Sequence, residues 1–174
     1  MSVAALLLAT RQTLRRALAL EDTACNVQPN GQPDNVAGDL YISIHEGDTS
    51  VLTDDSYHLT ENISLRVTVT LRTGEYTGEG FGDLMIANER GLDAWCRKVV
   101  AAVHLNWPNI NAANDEIGED ANGFVLPLAY EGAGSMQTQS GEWAGGTGDD
   151  SDYFMTRELR FGGARRVQNV AHMT

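Results

Sequence analysis

Cysteine is scarce in this chain, with Cys25 and Cys96 alone among 174 residues. Two cysteines make no disulfide framework, and Cys96 falls in an apolar helical stretch, where a buried free thiol is expected. Positive charge is also in short supply: 12 basic against 24 acidic residues, a formal net charge of −12. Such a surface repels free nucleic acid and anionic membranes, which excludes an ordinary nucleic-acid or membrane-surface binder. No long hydrophobic run is present. The apolar segment Val3–Ala9 is too short to span a bilayer, and Arg11, Arg15 and Arg16 follow it instead of preceding it. That order is wrong for a secretory signal, so the expected first element is a helix of a cytoplasmic protein.

Chemistry-bearing motifs are equally sparse. His45, His58, His104 and His172 are scattered, with no pair at metal-ligand spacing on one helix. His104 reads as a satisfied residue on a helix. Gly78-Glu79-Gly80-Phe81-Gly82 lacks dinucleotide spacing and places a glutamate where phosphate would sit. Asp149, Asp150 and Asp152 lack the glycine and terminal glutamate of a calcium loop. They read as solvated charge, as do Asp115, Glu116, Glu119 and Asp120. No serine has a nucleophile-elbow context. The chain is therefore expected to be no enzyme and to need no cofactor or metal.

What is present is patterning. Ile63–Leu71 alternates without a slip: Ile63, Leu65, Val67, Val69 and Leu71 on one face, Ser64, Arg66, Thr68 and Thr70 on the other. This is a half-buried strand, and Arg66 and Arg72 fall on its wet face. Leu40–His45 alternates likewise and pairs with it antiparallel, across a long polar loop over Glu46–Glu61. Val3–Leu20, with Val3, Leu6, Leu7, Thr10, Leu14, Ala17 and Leu18 on one face, and Leu84–Leu105 show helical periodicity. In the second, Leu92, Trp95, Cys96, Val99 and Val103 form the core stripe, Gly91 is a possible interruption, and Pro108 is the stop. Asn109–Asn122 then reads as a polar connection.

Phe124–Tyr130 is a further strand, with Pro127 marking an edge or bulge. The segment from about 132 to 152 is an acidic, glycine-rich loop, Tyr153–Phe161 is the last strand, and 165–174 is a polar tail. The expectation is a single α+β domain over 1–174, with a mostly antiparallel sheet and two helices packed on one face. Trp107 and Trp143 each have two readings, an interface anchor or a cap on the end of the core.

Five collinear phrases carry a resemblance: LYISIHE (Leu40–Glu46), ISLRVTVTLR (Ile63–Arg72), GLDAWCRKVVAAVHLNWPNINAAN (Gly91–Asn114), GFVLPLAY (Gly123–Tyr130) and LRFGGARRVQ (Leu159–Gln168). Together they are similar to the neck proteins of long-tailed bacteriophages, the tail terminator or tail-completion proteins. The resemblance implies a virion subunit that joins copies of itself into a ring, expected to be a hexamer. The ring would cap the tail tube protein and dock to the head-closure or connector protein at the head–tail junction. Genome DNA would pass through its lumen without specific binding, and no membrane would be involved.

Under that reading the candidate subunit-interface residues are Arg66, Arg72, Trp143, Arg157, Arg160, Arg165 and Arg166. Another neck or tail-tube protein is the neighbouring alternative. An acidic metal-binding module is the alternative of a different class.

Overall fold

The computed structural model describes residues 3–27, 38–54, 58–75, 81–117, 124–125, 127–140 and 152–168. For 51–54, 58–60, 73–75, 81–86, 88, 124–125, 140, 152 and 165–168 it describes the backbone alone. Trp143, Glu119, Asp120, Asp149, Asp150 and residues 169–174 of the tail lie outside the described residues.

The elements run α1 (Val3–Leu18), a 3-10 turn at Asp22–Ala24, β1 (Cys25–Val27), β2 (Leu40–Asp54), β3 (His58–Glu75), α2 (Phe81–Val103), α3 (Trp107–Ile117), β4 (Phe124–Val125), β5 (Ala129–Ala133), β6 (Gln137–Ser140) and β7 (Asp152–Gln168). This is an α+β fold around one mixed sheet. β1 runs parallel to β2, and every other pairing is antiparallel.

Across the sheet the order is β1-β2-β3-β7, and β4, β5 and β6 follow one another along the far edge of β7. Those three pieces are one interrupted edge strand. Pro127, which has no N–H to donate to a ladder, stands in the break between β4 and β5.

The alternation in β3 is realised as expected. Ile63, Leu65, Val67 and Val69 are buried on the helix side, and Ser64, Arg66, Thr68 and Thr70 are partly exposed on the other. In register with them, Ile42 and Ile44 of β2 and Leu159 and Phe161 of β7 extend the same apolar face. Leu92, Cys96, Val99 and Val103 of α2 close over it, and Gly91 does not break that helix.

Within the expected loop Glu46–Glu61, β2 runs on to Asp54 and β3 begins at His58, the two paired with register shifts at Glu46/Thr49 and Val51/Thr53, while residues 55–57 lie outside the described residues. Polar composition concealed it, although Thr49, Val51, Thr53 and Thr60 are residues that favour strands. At the first shift a β-carbon on Gly47 would run into the Ser64 side chain, so the bulge requires glycine there. β6 likewise lies inside the expected loop from 132 to 152, and β7 continues past Phe161 to Gln168.

A third helix replaces the expected polar connection after Pro108. Proline is tolerated in a first turn, where its missing N–H has no intrahelical partner to lose. Asn106 precedes that turn, and its side-chain oxygen accepts from Asn109 Nδ2 at 2.9 Å. Ile110, Ala113 and Asn114 then form the buried stripe of α3, at helical spacing.

This helix also explains the turn of α1. Its buried residues are Ala5, Leu6, Ala9, Thr10, Thr13 and Leu14, so the expected stripe is rotated away from Ala17 towards α3. Thr13 Oγ1 donates to Ala9 O at 2.9 Å and approaches Asn109 O at 3.4 Å. Arg16 clasps Glu116 through two bonds of 3.0 and 2.6 Å, which holds that carboxyl below the usual range.

Helix α1 ends with Ala19 at φ 51°, and Leu20 N–H donates back to Arg15 O at 3.0 Å. An L side chain is disfavoured in that left-handed conformation, and Ala19 is exposed with no packing to lose. Ala19→Gly is expected to stabilise the protein by about 1 kcal/mol. A rise in the denaturation midpoint at unchanged slope is the check.

Candidate interaction surfaces

The face of the sheet away from the helices carries polar side chains around Arg66 and Arg160, with Tyr41, Ser43 and Phe154 buried on it, and register places its charges. His45, Arg66 and Arg160 stand in one cross-strand row, with Ser43, Thr68 and Glu158 in the next. Beyond them Tyr41, Thr70 and Thr156 form a third row, and Arg72 faces Phe154. Arg66 and Arg160 are thus directly opposed like charges, an arrangement that costs folding energy. Asp48 lies 3.9 Å from Arg66, while Arg160 has no anionic partner among the described residues. Between β3, β7 and β6 this face carries a shallow groove of about 380 Å³, lined by Thr68, Gln137, Gln139, Thr156 and Glu158.

Not all the sequence-selected arginines share this face. Arg157 pairs in register with Val69 and therefore points to the helix side. There it lies 3.6 Å from Asp93 of α2, and its Nε donates to Gly134 O at 3.1 Å. Its neighbours are within its own chain because an odd position on β7 belongs to the core face. Arg165 and Arg166 are at register with Glu61 and Thr60. Trp143 is outside the described residues.

A second surface was only half visible in the sequence. Leu105, Trp107 and Tyr130 are the large hydrophobics left exposed among the described residues, at 53%, 45% and 36%. Leu105 N–H donates to Leu128 O at 2.9 Å, and Tyr130 N–H donates to His104 Nδ1 at 2.9 Å. These two bonds tie the α2–α3 turn to β5, so all three side chains belong to one corner. Accepting at Nδ1 also fixes His104 with its proton on Nε2.

Beside the corner, a groove of about 460 Å³ runs between α2 and β5, with Val100, Ala101, Ala133 and Leu159 in its floor and Asp93, Arg97 and Arg157 on its walls. Of the two readings of Trp107, the structure leaves the ring exposed and not capping the core, and the exposure of Leu105 and Tyr130 leaves no mark in the local pattern.

Both cysteines are buried and free. Burial pushes the Cys25 thiol up to about 12, against the opposing pull of Arg11 and Arg15, and the Cys96 thiol to about 11. A thiol raised in the fold ionises first in the unfolded chain. Its contribution is therefore complete below pH 9 and is lost as pH rises from 9 towards 12. Stability is expected to fall across that window, by at most about 1.4 kcal/mol per pH unit for this one group. Cys25→Ala should flatten the fall, which denaturant melts at stepped pH would read.

Among the described residues no group of three histidine, cysteine or acidic side chains is placed to hold a metal ion, and no helix is long and apolar enough to cross a membrane. No protein-family model matches the chain, and comparison with curated proteins finds no match.

Proposed function

We propose that this chain is a structural assembly protein, a ring subunit at the head–tail junction of a long-tailed bacteriophage that terminates the tail tube and joins it to the head connector. The observation that carries this reading is the polar sheet face. One side of a long hairpin sheet is sealed under the helices, and the other sets Arg66 opposite Arg160 in a protein of net charge −12. A repulsive arginine pair on an open face is relieved when an acidic neighbouring protein covers it, which is a reason for it to persist in an assembly subunit. The collinear resemblance to neck proteins supplies the kind of assembly. The acidity of the remaining surface suits a lumen through which DNA slides without adhering.

Gold-labelled antibody staining of purified virions tests this. Label confined to the head–tail junction is the expected result. Label along the tube makes the chain a tube subunit, and absence of the chain from virions overturns the structural role.

A further inference from the structure

β5 pairs with β7 along one side, and no other described strand pairs with its opposite side. Such an edge leaves backbone N–H groups in need of acceptors. At Tyr130 the acceptor is a side chain, because its N–H donates to His104 Nδ1 at 2.9 Å. The residue after that histidine makes a second tie, Leu105 N–H to Leu128 O at 2.9 Å. Two bonds therefore fasten the end of α2 to the segment that carries β5, and they differ in kind. An amide carbonyl accepts at every pH, whereas an imidazole nitrogen accepts only while it carries no proton.

We infer that His104 is a pH-operated clasp on the β5 edge, closed while Nδ1 is bare and opened when that nitrogen is protonated. This goes beyond the assembly role and stands without it.

Histidine is the ordinary side chain whose charge changes between pH 5 and 8. With a proton on each nitrogen the ring has donors only, and Nδ1–H would point at the Tyr130 N–H across 2.9 Å. The strand cannot step aside. Tyr130 is at register with Phe161, the two rings meet at 5.6 Å, and the Leu105 bond holds the chain two residues before it. The exposed imidazole is the part free to swing away.

The charges around the ring offer a protonated His104 no free counter-ion. Asp93 and Arg97 of α2 and Arg157 of β7 line the same groove. Its one carboxylate is already engaged by both arginines, Arg97 at 2.8 Å and Arg157 at 3.6 Å. On β5 the carboxylate of Glu131 is turned to Gly162, where an added β-carbon would run into it. Gly162 shares the face of Arg160, away from the helices and from His104. Opening leaves the Tyr130 N–H to water or to an acceptor on an incoming chain, beside the exposed rings of Tyr130 and Trp107.

Amide exchange of the full 15N-labelled chain reads the clasp, each rate being taken relative to that of an unstructured peptide at the same pH. The Tyr130 N–H is expected to be protected at pH 8 and to lose about three- to tenfold of that protection at pH 5. Leu105 N–H, bonded to a carbonyl, should keep its protection at both. His104→Asn puts a carbonyl oxygen where Nδ1 stands and should hold Tyr130 protected throughout. His104→Ala should leave it unprotected throughout.

Wild-type protection at Tyr130 that does not change with pH overturns the proposal. An asparagine variant that loses protection as the wild type does also overturns it, by assigning the effect to Asp93 or Glu131. A parallel loss at Leu105 does the same, since the whole corner would then be melting. Should the alanine variant fail to fold, the wild-type and asparagine comparison decides alone.

Discussion

Phe161→Ala is expected to cost about 3–5 kcal/mol, a large part of the ~5–15 kcal/mol that holds a domain of ordinary stability together. Phe161 is fully buried at the centre of the apolar face, opposite Leu65 in the β3–β7 ladder. Its ring also meets that of Tyr130 at 5.6 Å between centroids, tilted by 54°. Truncation loses the transfer energy of the ring and leaves a cavity between a sheet and a helix layer that cannot both collapse into it.

The expected drop in melting temperature is roughly 10 °C for a chain of this length. Phe161→Leu, which keeps most of the volume, should cost less than about 1.5 kcal/mol. Urea melts at unchanged slope would measure both. A cost for the alanine variant no greater than that for leucine would mean that the core is not centred on β3 and β7.

Arg160→Glu is expected to separate folding from assembly. It converts a like-charge cross-strand pair with Arg66 into an attractive one, so the isolated chain should gain about 0.2–1 kcal/mol. On the proposed role, the same change removes a positive charge from the face that an acidic neighbour covers, and tailed particles should fall sharply in number. A stability-neutral conservative control, Arg160→Lys, keeps the charge and should assemble. Normal particle yield from Arg160→Glu would remove the polar face from the assembly interface. A large loss of stability would show that Arg160 serves the fold.

The contrast between Arg160 and Arg157 shows where reading from residues alone runs out. Both lie in one basic stretch, and both read from the sequence as candidate subunit-interface residues. Three residues apart on a strand, they fall on opposite faces, and the face of each follows from the register of β7 against β3. Pro108 is a second case. As a helix stop it is a sound local signal, yet one residue after Trp107 it sits in a first turn, where proline is at home. The rotation of α1 then followed from α3, because the buried stripe of a helix is set by every neighbour it has.

Local sequence determined the elements whose burial is one-sided and regular: the alternation of β3, the inner end of β2, the stripe of α2, and the acidic balance of the whole. Each of these is a repeat of period two or 3.6 that a single element carries by itself. Tertiary structure decided the pairing of β2 with β3 beyond Glu46, the tandem edge strands against β7, the turning of Arg157 towards Asp93, and the meeting of Leu105, Trp107 and Tyr130 at one corner. The physical reason is that strand register and edge exposure are properties of pairs of distant segments. A backbone hydrogen bond such as Leu105 N–H to Leu128 O joins residues whose identities carry no trace of each other.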